Sequence, residues 1–500
     1  MGRGMTKKGI VFLPRFEYSK TIMDSVHGPI QLTELEYNLL QLPPLNRLHD
    51  IHHLGLTYLV YPAAKTSRFE HSLGVLHLAN KMIYQILGSA SLDGLKEAFN
   101  LNPNSEKFTE NCYRIIQTVR LAALLHDVGH GPYSHVSEPI LRKVLKNEEI
   151  EEAKDLFNCR SERDIPVHEY FSYKMITEKD SIIRKTIESY KINVEDVANL
   201  LIKKRAEDST EILRKIISSQ LDADRMDYLL RDSHATGLPF GLTDINRIII
   251  NIFIEKYSEK YQLIVHERAL RAVEDILDAR IKMHKSLYGH HLVCALEELL
   301  KMAIESMVEE GELKYEDFRP ENFLKGEVDD TFIRFKLRKH QETHPEFKAF
   351  FDRRYIPVAL IKRETDFDDF IEEIKRKSSI EPSDEEIADK FRRWLEELKS
   401  GMRKPMYPRP GAILLLSTIP FSPYAVKEEE RILIGKKGSK PKDLLATSSY
   451  VRVLNEEARR TEIFRISFLI PNIQKKDIKE EDIRRVRDLL VDDIVKSSSD

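Results

Sequence analysis

The stretch His126-Asp127-Val128-Gly129-His130-Gly131-Pro132-Tyr133-Ser134-His135 decides how this chain is read. Just before it, Ile115, Ile116, Val119, Ala122 and Ala123 recur at spacings of three and four, which predicts a helix over Tyr113–Leu125 with one buried stripe. Gly129, Gly131 and Pro132 cannot continue that helix cheaply, so it ends at His126-Asp127. A rigid apolar support thereby presents an imidazole and a carboxylate side by side at its C-terminal end. A second His-Asp pair, His49-Asp50, has no such surroundings, and among 17 histidines a pair of this kind is expected by chance.

Two further clusters carry similar residue types: Arg68-Phe69-Glu70-His71-Ser72, and Asp222-Ala223-Asp224-Arg225-Met226-Asp227-Tyr228 running on to Arg231-Asp232. Two imidazoles with two carboxylates make a mixed nitrogen and oxygen donor set, which suits Mn, Fe, Co, Ni, Zn or Mg. No cysteine falls in these clusters, which argues against a structural zinc site. A single His or Asp in a helical core is usually only a hydrogen-bonded structural residue. Three clusters that each supply metal-competent side chains change that balance.

The rest of the chain bounds the answer. Its 500 residues carry 79 Lys+Arg against 82 Asp+Glu, a net charge of −3, which excludes a bulk electrostatic grip on nucleic acid or an anionic membrane. With 41% hydrophobic and 32% charged residues the composition is that of a soluble globular protein of more than one domain. Apolar runs such as Ala412–Leu416 fall far short of the roughly 20 residues of a membrane span. Cys112, Cys159 and Cys294 form no framework, so a reducing, cytoplasmic setting is expected.

Residues 20–300 read as mostly helical, with helical periodicity in Ser72–Leu87, Val167–Ile176 and Ala269–Leu300. Two polar inserts, Gly88–Asn111 and Asn147–Asp164, read as surface excursions. Beyond about residue 310, Tyr355–Ile361 and Ala412–Thr418 read as strands, and Phe464, Ile466, Phe468 and Ile470 alternate as in a half-buried strand. Ser383 with Glu386 forms a capping-box signal for a helix between them. The expected architecture is mainly α: a helical domain over residues 1–310 and a smaller α+β domain over 311–500.

On these residues the chain resembles the HD-domain phosphohydrolases, and within them the deoxynucleoside triphosphate triphosphohydrolases. The resemblance runs from Asp24-Ser25-Val26-His27-Gly28 to Tyr288 and takes in Arg68 to Val75, His126 to His135, His168-Glu169 and Gln220 to Asp232. It implies a helical HD catalytic core in which His71, His126, Asp127 and Asp224 ligate one divalent metal, with further Mg accompanying a triphosphate. It implies His130, His135 and His168 as catalytic histidines around the α-phosphate, and Glu138 stands where the family often has an aspartate that orients one of them. Arg68 and Arg225 would bind the triphosphate, Tyr228 would pack under the deoxyribose and Asp232 would take its 3′-hydroxyl. Arg280 and Tyr288 match further nucleotide contacts, and His53 stands where relatives place a sugar-contacting glutamine. Asp222 and Asp227 read as supporting or capping groups.

The physical logic agrees with those roles. A triphosphate brings several negative charges, so local cations are needed in a slightly acidic protein. Histidine, with an ordinary pKa of about 6.5, suits proton transfer near neutral pH. His135 or His130 is the expected proton donor to a leaving 5′-oxygen. The implied reaction converts a dNTP and water into a deoxynucleoside and tripolyphosphate. The alternatives are another HD-type phosphomonoesterase, phosphodiesterase or nuclease, or a catalytically idle nucleotide sensor.

Two departures bear on selectivity and regulation. His53 and Gly289 alter the nucleotide pocket and relax base preference, because selectivity depends on buried polar groups that only the right ligand satisfies. Where some relatives read an activating guanine nucleotide with an aspartate and an arginine, this chain has Gln41 and His49, so an allosteric nucleotide is either absent or of another base. Arg353-Arg354 could still take a regulatory phosphate, whereas Lys436, Lys437, Lys440 and Lys442 read as a solvated loop. By resemblance the protein assembles as a homo-tetramer.

Overall fold

Four helices hold the three clusters in the computed structural model: α1 (Arg68–Ser89), α2 (Phe108–Leu125), α3 (Val167–Thr177) and α4 (Ala223–Thr236). The structure describes residues 13–203, 208–257, 259–378, 386–387, 390–391, 393–394, 397, 412–419, 424, 430–460 and 463–496. Helix α1 starts on a capping box, in which Ser67 Oγ accepts from Glu70 N at 3.3 Å and the Glu70 carboxylate accepts from Ser67 N at 2.7 Å. Replacing Ser67 with alanine is expected to cost about 1 kcal/mol in a denaturant titration, the usual worth of such a cap.

Helix α2 is buried from Ile116 to Leu125, on every face and not only along the predicted stripe, and it packs on α1, which in turn packs on α4. Even its polar residues are used inside. Glu36, fully buried, accepts from Arg120 Nε at 2.7 Å, Arg120 Nη2 at 2.6 Å and Gln117 Nε2 at 2.8 Å. The end of α2 is thus fixed, and His126 caps it as expected.

Two compact units share the chain. The first comprises Met1–Met283, Leu313–Phe332 and Ser422–Glu457; the second comprises His284–Glu312, Ile333–Phe421 and Ala458–Asp500. A single cut after residue 310 is therefore corrected. Val328 gives its carbonyl to Arg47 at 2.9 Å, and β7 (Leu433–Gly435) pairs in parallel with β4 (Lys260–His266), so both later segments belong to the first unit. That unit also has an antiparallel hairpin, β1 (Lys20–Asp24) with β2 (Gly28–Leu32). Its second sheet runs in the order β3-β4-β7-β8, with β3 at Ile252–Tyr257 and β8 at Lys442–Asp443. The polar inserts are helical, over Leu92–Phe99 and Asn147–Phe157, because Leu95, Phe99, Leu156 and Phe157 give each an apolar side to bury.

The second unit is α+β. Its sheet runs in the order β5 (Val358–Ile361), β9 (Ile463–Leu469), β6 (Ile413–Ile419), with both neighbours antiparallel to β9. The alternation in β9 marks one core face, where Phe464, Ile466 and Phe468 join Phe370, Phe391 and Trp394. Its other face is buried too: Arg465 donates to the Gly289 carbonyl at 2.8 Å, and a helix over His291–Glu309 covers the sheet. The half-buried expectation fails because a central strand is covered from both sides. The expected continuous helix over Ala269–Leu300 is interrupted. A helix over Leu270–Met283 ends in a π-helical turn at His284–Tyr288 before the next begins at His291. The helix start at Ser383 lies outside the described residues. No described helix is long and apolar enough to cross a membrane.

Candidate active site

The end of α2, the first turn of α1 and the first turn of α4 meet. His71 Nε2 lies 3.0 Å from Asp224 Oδ1 and 3.6 Å from Asp127 Oδ2, and His126 Nε2 lies 3.3 Å from Asp127 Oδ1. One donor atom each from His71, His126 and Asp224 falls within a 4.8 Å group. The Nε2 atoms of both histidines are buried without a hydrogen-bond partner, a costly state for a polar nitrogen. Their other nitrogens are engaged. Asp227 accepts from His71 Nδ1 at 2.8 Å, and the Ala123 carbonyl accepts from His126 Nδ1 at 2.8 Å. Both rings are thereby turned with Nε2 toward the shared space, as metal-bound histidines are. Burial works against a proton on His71, but Asp224 and Asp227, with Asp127 behind them, carry its pKa up to about 10. The pocket between these carboxylates attracts positive charge, so the four residues fit a divalent cation.

Asp227 stands outside that donor set and supports it. It accepts from His27 Nε2 at 2.6 Å and from Arg231 at 2.8 and 3.0 Å, while Arg231 donates onward to Asp24 at 2.9 Å. Asp222 is the N-cap of α4, its Oδ1 accepting from Arg225 N at 2.7 Å.

The three expected catalytic histidines form a second group next to the first. His130 and His168 stack at 3.9 Å, and His135 meets them edge-on at 5.0 and 5.4 Å. His130 is buried and stands 3.4 Å from Asp127, whereas His135 opens to solvent. Glu138 accepts from both Nδ1 and backbone N of His168. Its extra methylene, relative to an aspartate, does not break the relay. Burial disfavours charge on both partners, yet His168 holds the Glu138 carboxyl down to about 2 and Glu138 holds His168 above its ordinary value. His130 is driven the other way, by burial and then by Arg68. The two stacked histidines are thus pushed in opposite directions. Glu138→Gln is expected to lower kcat about tenfold while bound metal stays unchanged, because only the orienting charge is removed; steady-state kinetics with metal analysis checks this.

The support for His168 is built into the turn. Ser172, one helical turn further along α3, donates to the His126 carbonyl at 2.6 Å and accepts from Gly129 N at 2.9 Å. A Cβ on Gly129 would lie 2.3 Å from both the His168 carbonyl and Ser172 N, so only glycine admits this contact.

Of the expected substrate contacts, Arg68 is buried, with Nη1 2.5 Å from Asp127 Oδ2 and Nε 2.9 Å from Ser134 Oγ. Asp224, Tyr228 and Asp232 follow at four-residue intervals along α4. His53 packs on His71 with ring centroids 4.3 Å apart, and its Nε2 is 3.9 Å from Asp232. Tyr228 neighbours Arg280, which donates to Gln220 at 3.0 Å, and Arg225 is bonded to Asp222 and the Ser219 carbonyl. A cleft of about 780 Å³ is lined among others by Arg225, Gln220, Lys203, Lys215 and Lys260. Tyr288 belongs to the second unit, where its carbonyl lies 3.7 Å from Cys294 Sγ. Of the regulatory candidates, His49 stacks on Phe69 at 3.7 Å. Lys437 is fixed on the Ser89 carbonyl at 2.7 Å, so that lysine loop is exposed but docked.

Residues 68–232 match the HD domain and residues 243–394 match the HD-associated region, so the chain carries both. An uncharacterized protein of Methanocaldococcus jannaschii is 31% identical over 298 residues, 60% of this chain and 52% of that one. Human deoxynucleoside triphosphate triphosphohydrolase SAMHD1 is 27% identical over 331 residues, 63% of this chain and 48% of that one. The chain spans about half the length of the curated relatives it matches. A crystal structure of a hypothetical protein from Aquifex aeolicus has the same fold, with a TM-score of 0.63 at 22% identity, covering 94% of this chain and 99% of that one.

Proposed function

We propose that this protein is a metal-dependent deoxynucleoside triphosphate triphosphohydrolase. The observation that carries the reading is the adjacency of two groups: the two imidazoles and two carboxylates of His71, His126, Asp127 and Asp224, and a histidine trio bonded at one end to Glu138. His71, His126, Asp127 and Asp224 would hold a divalent cation (Mn, Fe, Co, Ni, Zn or Mg), which would supply Lewis acidity and lower the pKa of water near the α-phosphate. Arg68, Arg225 and Arg280 offset the charge of the triphosphate and of any Mg it brings. Water attacks the α-phosphorus and the bond to the 5′-oxygen breaks. The departing deoxynucleoside takes a proton from the trio, and tripolyphosphate remains. His135 or His130 is the proton donor, with His168 beside them held by Glu138.

Tyr228 and Asp232, on one face of α4 with the donor Asp224, support a deoxynucleotide as substrate, as does the likeness to the human enzyme. The test is product identity: metal-loaded protein is incubated with each dNTP, NTP, nucleoside monophosphate and a single-stranded oligonucleotide. Deoxynucleoside with tripolyphosphate supports the reading. Monophosphate with pyrophosphate overturns the cleavage site, and turnover of monophosphates or oligonucleotides alone overturns the substrate. A homo-tetramer is the assembly expected with this activity, and light scattering of the 58.3 kDa chain checks it.

A further inference from the structure

Two consecutive non-glycine residues, Tyr133 and Ser134, adopt left-handed backbone at φ 55° and 58°, immediately before His135. Such residues cost of order 1 kcal/mol each and persist only where their surroundings impose them. What imposes them comes from far along the chain. Asp330, buried and outside the matched HD domain, accepts from Tyr133 N at 2.5 Å through Oδ1. Through Oδ2 it accepts from His52 N at 2.9 Å and His52 Nδ1 at 2.6 Å. Ser134 Oγ then donates to the His52 carbonyl at 2.7 Å and accepts from Arg68 Nε. Arg47, fully buried, reinforces the same junction, donating to Val328 on one side and to the Val128 and His130 carbonyls on the other, at 2.8–2.9 Å.

We propose that Asp330 is a positioning residue for the reaction: its carboxylate ties the turn carrying His135 and anchoring Arg68 to the loop carrying His53, and so sets the catalytic geometry from outside the HD domain. The inference rests on the reaction proposed above. Only a carboxylate serves here, because three N–H groups converge on one side chain and each needs an acceptor. An asparagine would have to turn its NH₂ toward one of them. A displacement of about 1 Å at such a site costs about a hundredfold in rate.

The experiment compares wild type, D330N, H135A and the D330N/H135A double variant as full-length, metal-loaded protein acting on the best dNTP. The expected result for D330N is kcat lowered about thirtyfold, with KM and bound metal per chain within about twofold of wild type. In the H135A background the second substitution is expected to cost clearly less than in wild type, since one of the groups it positions is already lost. If D330N lowers only yield and melting temperature and leaves kcat per metal-loaded site unchanged, the inference is overturned. Losses that multiply in the double variant overturn it as well. Should D330N not fold, H52A at a part-exposed position removes the ring donor to Oδ2 and leaves the backbone one; a kcat loss of about fivefold is expected, and an unchanged kcat overturns the inference. Failure of wild type to release tripolyphosphate from any dNTP removes the underlying reaction, a result distinct from equal activity of wild type and D330N.

Discussion

His71→Ala is expected to empty the proposed metal site and lower the proposed dNTP hydrolysis at least about a thousandfold. Losing the Lewis acid withdraws several kcal/mol of transition-state stabilisation, and each 1.36 kcal/mol is tenfold in rate. The size follows from where His71 sits: fully buried, its Nε2 3.0 Å from Asp224 and 3.6 Å from Asp127. Alanine also leaves the Asp227 carboxylate without one of its buried donors. Asp227→Asn makes the informative companion, because it spares the donor set while removing the charge behind it and turning an NH₂ toward one of its donors. A loss of about tenfold to a hundredfold, with weaker metal retention, is expected there. Metal per chain and steady-state kinetics on both variants check the pair. An H71A protein that keeps its metal and most of its rate would dismiss His71 as a ligand.

Gly129→Ala is expected to cost about 3 kcal/mol of stability and, in the protein that still folds, about a hundredfold in kcat. The added methyl meets main-chain atoms at 2.3 Å on α3, which cannot rotate away as a side chain would. Either α3 retreats, carrying His168 and Glu138's contact with it, or the turn after His126 shifts and moves Asp127. Urea unfolding and kcat measured on the folded, metal-loaded fraction separate the two effects. Wild-type kcat in that fraction would mean the spacing of the turn and α3 does not control the chemistry.

Much of this geometry was legible in the sequence because the residues concerned are local. The apolar run before His126-Asp127 dictates a buried helix ending there, and the glycines and proline after it dictate a turn. The set His71, His126, Asp127 and Asp224 was implied by the resemblance to HD-domain phosphohydrolases, and the four side chains lie near one another in the structure. Glu138 was visible only as a substitution of uncertain reach, and its contact with His168 depends on how α3 docks, which no local pattern encodes. Asp330 was invisible for the same reason: nothing in its surroundings distinguishes a buried acceptor from an ordinary helix start. Ser172 was findable, since it lies one turn from His168 on the same helix. The interleaved units also escaped notice, because Leu313–Phe332 and Ser422–Glu457 return to the first unit after long excursions.

The chain Asp24–Arg231–Asp227–His71 has a consequence for modularity. A fragment trimmed to residues 68–232 would keep every proposed metal donor and lose Asp24 and His27, two of the partners that hold Arg231 and Asp227 in place. The guanidinium and the carboxylate would remain as a buried pair with unmet valences, and the imidazole they steady would be free to swivel. The stretch that defines kinship is therefore shorter than the stretch that makes a working metal cradle, and a minimal active version has to begin before the first hairpin.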